Sequence, residues 1–316
     1  FDVPDPIERG AEVITMRIAT TQIFQGGLDA MLDQQTQLYK TQLQLSSGKR
    51  FNSPAEDPTA AAQVLGLSES IAITAQYQTN ARTVATGLQR EETTLTAVDD
   101  ALQRARELAV QGNNATYSAA DRQTMAQEVR QLMDHILGLA NTQDESGEYI
   151  FAGSQARVRP FSDDGAGTVS FHGDQGQRQI QVGPSRTLAM GDSGFDVFMK
   201  IENADGSGYQ DIFTTLNGLA TDLETNTPDP VRLTEIDKAQ DRLLSARTNI
   251  GARLNALDRE EQVNSAYALQ LETTRSQVQD LDIIQASIDL SRQELVLQSA
   301  QQAFVRVQNL SLFDYL

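Results

Sequence analysis

Apolar residues recur at alternating steps of four and three towards both ends of this chain, and at steps of two in its middle. After Pro230 there is no further proline, and Gly251 is the only glycine from there to the end. Ile236, Leu243, Ile250 and Leu257 follow at seven-residue steps, and Leu271 and Val278 resume the phase after a polar Asn264. Such a repeat predicts a long helix that presents one narrow seam to partner helices. Residues 59–143 are also free of proline and carry Val84, Leu88, Glu91, Leu95, Val98, Leu102, Ala105 and Ala109, a four-three seam broken only by Glu91. Gln111-Gly112-Asn113-Asn114 ends that helix, and Ser118 with Asp121 resembles a capping box for the next. Met125, Val129, Leu132, Ile136 and Leu139 then repeat the spacing. Helices joined by a short turn lie antiparallel, so this hairpin and the 236–278 helix are expected to form one bundle.

The two ends are helical in a different way. From Met16 the chain is mostly helix-forming after Gly27, with Leu28, Met31, Leu38 and Leu45 on a loosely apolar side. Gly48 can supply a left-handed C-terminal cap, with Lys49 and Arg50 facing the negative end of the helix dipole. The turn NSPAEDP follows, in which Asp57 and Pro58 form an N-cap and first-turn pair; Gly48, Pro54, Asp57 and Pro58 therefore read as a hinge with a defined bend. At the far end Ile283, Leu290, Leu297 and Phe304 make one seven-residue stripe, while Leu281, Ile284, Ile288 and Leu295 make another. Two stripes exceed what one partner helix covers, and Leu290, Leu297, Phe304 and Phe313 find no evident partner within the chain. Exposed apolar surface of that size marks a binding site. The expected assembly interface is Leu28, Met31, Leu38, Leu45, Ile283, Leu290, Leu297, Phe304, Leu312, Phe313, Tyr315 and Leu316.

Between Gly147 and Gly218, which hold 12 of the 21 glycines, the period shortens to two. TVSFHG (168–173) and RQIQV (178–182) flank Asp174-Gln175-Gly176-Gln177 and read as a hairpin; TLAM (187–190) and DVFMKI (196–201) read as further strands, and Tyr209 to Glu224 as a helix. The fold class is thus mainly α with an inserted β-rich domain, on a long antiparallel bundle formed by the N- and C-terminal regions. The expected domains are an upstream extension or expression remnant at 1–15, a terminal coiled coil of 16–58 with 279–316, a helical bundle of 59–146 with 209–278, and a β-rich insert at 147–208.

Composition narrows the function classes. A net charge of -18, with four lysines among 25 basic residues, argues against nucleic acid, whose phosphates need clustered Lys and Arg. Segment 141–230 alone holds 14 acidic and five basic residues, a solvated acidic surface. Cysteine is absent, which removes disulfides, thiol catalysis and thiolate metal sites. No apolar run approaches the ~20 residues of a membrane span, so no membrane insertion is expected, and no secretory signal peptide is visible. His135 and His172 share no metal-ligand spacing, and Asp163, Asp164, Asp174, Asp192 and Asp205 form no calcium loop; they read as turn residues. GDSG (191–194) lacks the histidine partner and double barrel of a serine protease. No catalytic, cofactor or metal residues are expected.

LSSGKRFNSPAEDPTAA (45–61) resembles the terminal signature shared by bacterial flagellins and the hook-associated proteins. GEYIFAGSQARVRPF (147–161), FHGDQGQRQIQV (171–182) and the ending SLFDYL (311–316) are similar, in that order, to the family of third hook-associated proteins, the hook-filament junction proteins. The resemblance covers Met16 to Leu316. It implies a structural subunit of the flagellum, exported unfolded by the flagellar type III apparatus through a non-cleaved N-terminal signal. It implies assembly as a ring of identical subunits between hook-associated protein 1 and flagellin, and an export chaperone on the C-terminal region. A flagellin filament subunit and a type III needle-tip or translocator protein are the alternatives. LQRARELAVQ (102–111) is also similar to a flagellin stretch read by an innate immune receptor, with Arg104, Glu107 and Leu108 as candidates, although those positions also suit a helix seam and its solvated face.

Overall fold

The computed structural model describes residues 6–165 and 167–313, with side-chain environments from Phe24 to Arg306. The elements in order are helices α1 (Pro6–Ser47), α2 (Pro58–Gly112) and α3 (Ala119–Ala140), strands β1 (Phe161–Asp163), β2 (Val169–Phe171), β3 (Gln179–Gly183) and β4 (Arg186–Ala189), a π turn (Phe195–Met199), strands β5 (Ile201–Glu202) and β6 (Tyr209–Gln210), and helices α4 (Ile212–Glu224), α5 (Val231–Gln279) and α6 (Ile283–Phe313). The chain divides into two compact units, 1–71 with 269–316 and 72–268. The division falls within α2 and α5.

In the first unit α1 and α6 form an antiparallel pair tied at one end. Phe24, Gly27, Met31, Gln34, Leu38, Thr41 and Leu45 form the shielded side of α1, and Ala286, Leu290, Gln293, Leu297, Ala300 and Phe304 that of α6. Both sets step by three and four, the spacing of a coiled-coil seam. The Phe304 ring stands edge-on to Phe24 at 5.4 Å and lies over Gly27, where a Cβ would come within 3.4 Å of it. Ten residues along, the Gln34 amide reaches the Gln293 carbonyl at 3.5 Å. Where α1 stops, Gly48 adopts φ +69°, and Lys49 bridges Asp280 through Arg50 N–H to the Gln279 carbonyl (2.7 Å) and Leu281 N–H to the Gly48 carbonyl (3.0 Å).

The second unit holds the main core. The α2 seam is buried along its whole length, from Val84 to Ala109, and so are Ile236, Leu243, Ile250 and Leu257 of α5. Helix α3 starts at the Ser118–Asp121 capping box, with both reciprocal hydrogen bonds made, and buries Met125, Val129 and Ile136 while Leu132 and Leu139 are half-buried. Helix α4 buries Phe213, Leu216, Leu219 and Leu223 in the same core.

Three local expectations in the middle are corrected. Strand β2 pairs with β1 and β3 with β4, so 168–173 and 178–182 are not one hairpin. Two glycines at φ +81° and +85°, Gly165 and Gly167, turn the chain between β1 and β2. Asp174, expected in a hairpin turn, accepts from Ser154 N–H (2.7 Å) and Gly176 N–H (2.9 Å) on its carboxylate and from the Ser193 hydroxyl (2.7 Å) on its carbonyl, and so ties three loops. Residues 196–201 are not a strand: 195–199 form the π turn, which buries the consecutive Val197 and Phe198 as no strand can on one face. Tyr209 pairs in β6, and the helix begins after Asp211, whose carboxylate caps Thr214 N–H. The β-rich segment shares an aromatic cluster with α4: Phe151 and Phe161 meet Phe198 edge-on, and Phe161 and Phe198 meet Phe213 of α4 with tilted rings.

Candidate assembly interface

The terminal residues expected to form one interface separate into two sets. Met31, Leu38, Leu45, Leu290, Leu297 and Phe304 are half-buried on the facing sides of α1 and α6. The expectation that Leu290, Leu297 and Phe304 lack partners within the chain is therefore corrected: the opposite end supplies them. Leu28 and Ile283 are exposed. Leu312, Phe313, Tyr315 and Leu316 lie outside the residues whose side chains are described.

Outside that seam the pair carries a second apolar surface. Leu32 and Tyr39 of α1 are 52% and 66% exposed, and Ile284, Ile288 and Leu295 of α6 are 77%, 57% and 64% exposed. The α6 members are the second stripe read from the sequence. Leu32, Tyr39 and Leu43 were missed, although Leu32 and Tyr39 stand seven residues apart and could have been found by the same test. Most of the exposed large apolar side chains among the described residues lie in this unit. Its seam is also polar at Gln34, Thr41 and Gln293, and the Gln293 side-chain oxygen is buried without a donor. A seam interrupted this way holds register at a cost in stability.

The hinge residues are tightly held. Gly48 N–H bonds the Gln44 carbonyl at 2.8 Å, Asp57 Oδ1 accepts from Ala60 N–H at 2.9 Å, and Glu56 N–H bonds the Ser53 carbonyl at 3.0 Å. Phe51, within the same stretch, is buried. The remaining polar candidates serve local structure: Ser162 and His172 Nε2 lie 2.7 Å apart, Gly165 N–H donates to Asp163, and Ser207 N–H donates to Asp205. Among the described residues no group of three His, Asp or Glu could hold a metal ion, and no helix is long and apolar enough to cross a membrane. In the immune-receptor candidate stretch Leu108 is buried, and Arg104 bonds both Glu107 and Glu128.

These are features of a part that packs against others, and comparison with known proteins agrees. Residues 18–156 match the model of the bacterial flagellin N-terminal helical region. Flagellar hook-associated protein 3 of Escherichia coli is 33% identical over 95% of this chain and 99% of its own. The chain belongs to the flagellar hook-associated protein 3 family. The Salmonella typhimurium member is 31% identical over the same shares. A solved putative flagellar hook-associated protein from Vibrio parahaemolyticus, 25% identical, superposes with a TM-score of 0.63 over 71% of this chain and all of that one. As a member of the hook-associated protein 3 family, the chain is a structural component of the bacterial flagellum, outside the cell.

Proposed function

We propose that the chain is the subunit of a junction ring, meeting hook-associated protein 1 on one side, flagellin on the other, and copies of itself around the circumference. The coarse role, a structural one at the hook-filament junction, follows from the family. The observation that supports the finer reading is the outer face of the α1–α6 pair, with Ile284 77% and Leu295 64% exposed after the two ends have satisfied each other. Burial of such a face supplies ~25 cal/mol per Å2 only when other subunits cover it. The same face in the cytoplasm calls for an export chaperone on the C-terminal region, and the route outward is the flagellar type III apparatus. The role is a structural one and calls on no catalytic step.

Removing Asp289 to Leu316 deletes most of α6 and leaves the core of 72–268 intact. Cells making only this truncated chain should carry hooks without filaments and shed flagellin into the medium, while circular dichroism retains the signal of the remaining helices. Electron microscopy showing normal filaments on such hooks would overturn the proposal.

The bend at 48–58 is expected to bear load between a flexible hook and a stiff filament. Pro54→Gly with Pro58→Ala adds backbone freedom without removing an apolar contact. Export and incorporation should be unchanged, and filaments should detach at lower shear than in the parent. Superimposable retention curves under graded shear would deny the bend this role.

A further inference from the structure

Residues 157–159, Arg-Val-Arg, form an exposed tip on an anchored loop. Ala156 O accepts from Tyr149 N–H at 2.7 Å and Gln155 O from Val158 N–H at 2.8 Å, while Pro160 and Phe161 are buried directly behind. Most arginines of residues 72–268 are held by an ion pair or hydrogen bond of their own, as Arg130 is by Glu224 and Arg232 by Asp222. Arg157 and Arg159 are exposed and make neither, and Val158 between them is 41% exposed. Two free guanidinium groups flanking an apolar side chain on fixed backbone have the composition of an interface anchor.

The same unit carries a complementary patch elsewhere. A shallow depression of about 520 Å3 is lined by Asn203, Asp205, Gln210, Val231, Thr234 and Glu235. The Asn203 side-chain oxygen is buried without a donor, and Asp205 is exposed and held in its ionised form by the Ser207 hydroxyl and N–H. Val231 is 44% exposed, and Tyr209, next in the chain to Gln210, is 66% exposed. Glu235 already holds Arg232 at 2.8 Å and the Asn203 oxygen is buried, so the charged acceptor left for a visitor is the exposed Asp205 carboxylate. A guanidinium offers five N–H donors in a planar fork, which suits an exposed carboxylate.

We propose that the Arg157-Val158-Arg159 tip of one copy docks on the Asn203-Asp205-Val231 depression of the next. One basic-apolar patch meeting a different acidic-apolar patch is a heterologous, head-to-tail contact, the only kind that propagates around a ring of more than two subunits. The inference deepens the ring reading above and rests on it. Val158 meets Val231 at the centre, with an arginine on either side, and the acidic charge of the chain elsewhere disfavours other orientations.

The chain has no cysteine, so a single pair can be introduced cleanly. Flagella bearing Val158→Cys with Val231→Cys, treated with a short bismaleimide, should yield a ladder at multiples of the chain mass. Either substitution alone should yield none. Adding Arg157→Glu and Arg159→Glu should weaken the ladder about fivefold or more at equal amounts of chain. No ladder, dimers from Val158→Cys alone, or an adduct with a different protein would each overturn the docking. Immunogold on the same preparation locates the chain independently: label away from the hook-filament joint would sink the junction reading, while the ladder still decides the contact between copies.

Discussion

Phe198→Ala should destabilise the 72–268 unit by ~3–5 kcal/mol, the usual cost of emptying a fully buried phenylalanine site. Phe198 is wholly buried, with ring centroids 5.0 Å from Phe151, 5.5 Å from Phe161 and 6.5 Å from Phe213. Those partners come from the segment before β1, from β1 itself and from α4, so one cavity loosens the insert and the helical core together. The π turn offers no way to collapse into the space, because Val197 beside it is already buried. Guanidinium unfolding followed by circular dichroism should show one transition at lower midpoint. Two transitions, with the helical signal surviving the first, would mean that the insert folds alone and that the aromatic cluster does not join it to the helices.

That prediction turns on what the sequence did not disclose. The helical seams were legible because a four-three repeat has one physical meaning over many turns: Val84 to Ala109 and Ile236 to Leu257 are buried as the spacing demands. The capping box at Ser118 and the caps at Gly48 and Asp57 were legible because each satisfies its own backbone groups locally. The short strands were not. Phe161–Asp163 is three residues long, too short for alternation to declare itself, so β2 was assigned to the nearer neighbour β3. Helix α4 was read as a helix, but its place in the core depends on Phe213 meeting Phe161 and Phe198, a contact of low local sequence signal. At the candidate interface, apolar stripes were visible, and which of them faced α1 was not. That choice is set by the antiparallel register fixed at Phe24–Phe304 and Lys49–Asp280.

Glu91, the one residue that breaks the α2 seam, should make the protein less stable as pH rises. It is 2% exposed, and its carboxylate accepts from Asp192 N–H at 3.2 and 3.3 Å. Burial raises its pKa to about 8, and the nearby Asp192 and Glu92 carboxylates add to the rise, while Arg253 and the Asp192 N–H oppose it. Arg253 spends itself on Asp192, with which it forms an ion pair. The unfolded chain releases this proton near the ordinary value of 4.5, and the folded chain holds it until about 8. A raised folded-state pKa means that the stabilisation is complete below the unfolded value, is lost progressively between the two, and does not change further above the folded one. At ~1.4 kcal/mol per pKa unit, the loss between pH 5 and 9 is on the order of 4 kcal/mol. Glu91→Gln keeps the shape and a carbonyl to accept from Asp192 N–H, and removes the titration. The variant should match the parent near pH 5 and exceed it in stability at pH 9, with the difference growing through the interval. Carboxylates with lowered pKa, such as Asp121 and Glu224, act in the opposite sense at acid pH in both proteins and cancel from the comparison. Parallel stability curves for parent and variant between pH 5 and 9 would show that Glu91 ionises in the folded state as it does in water.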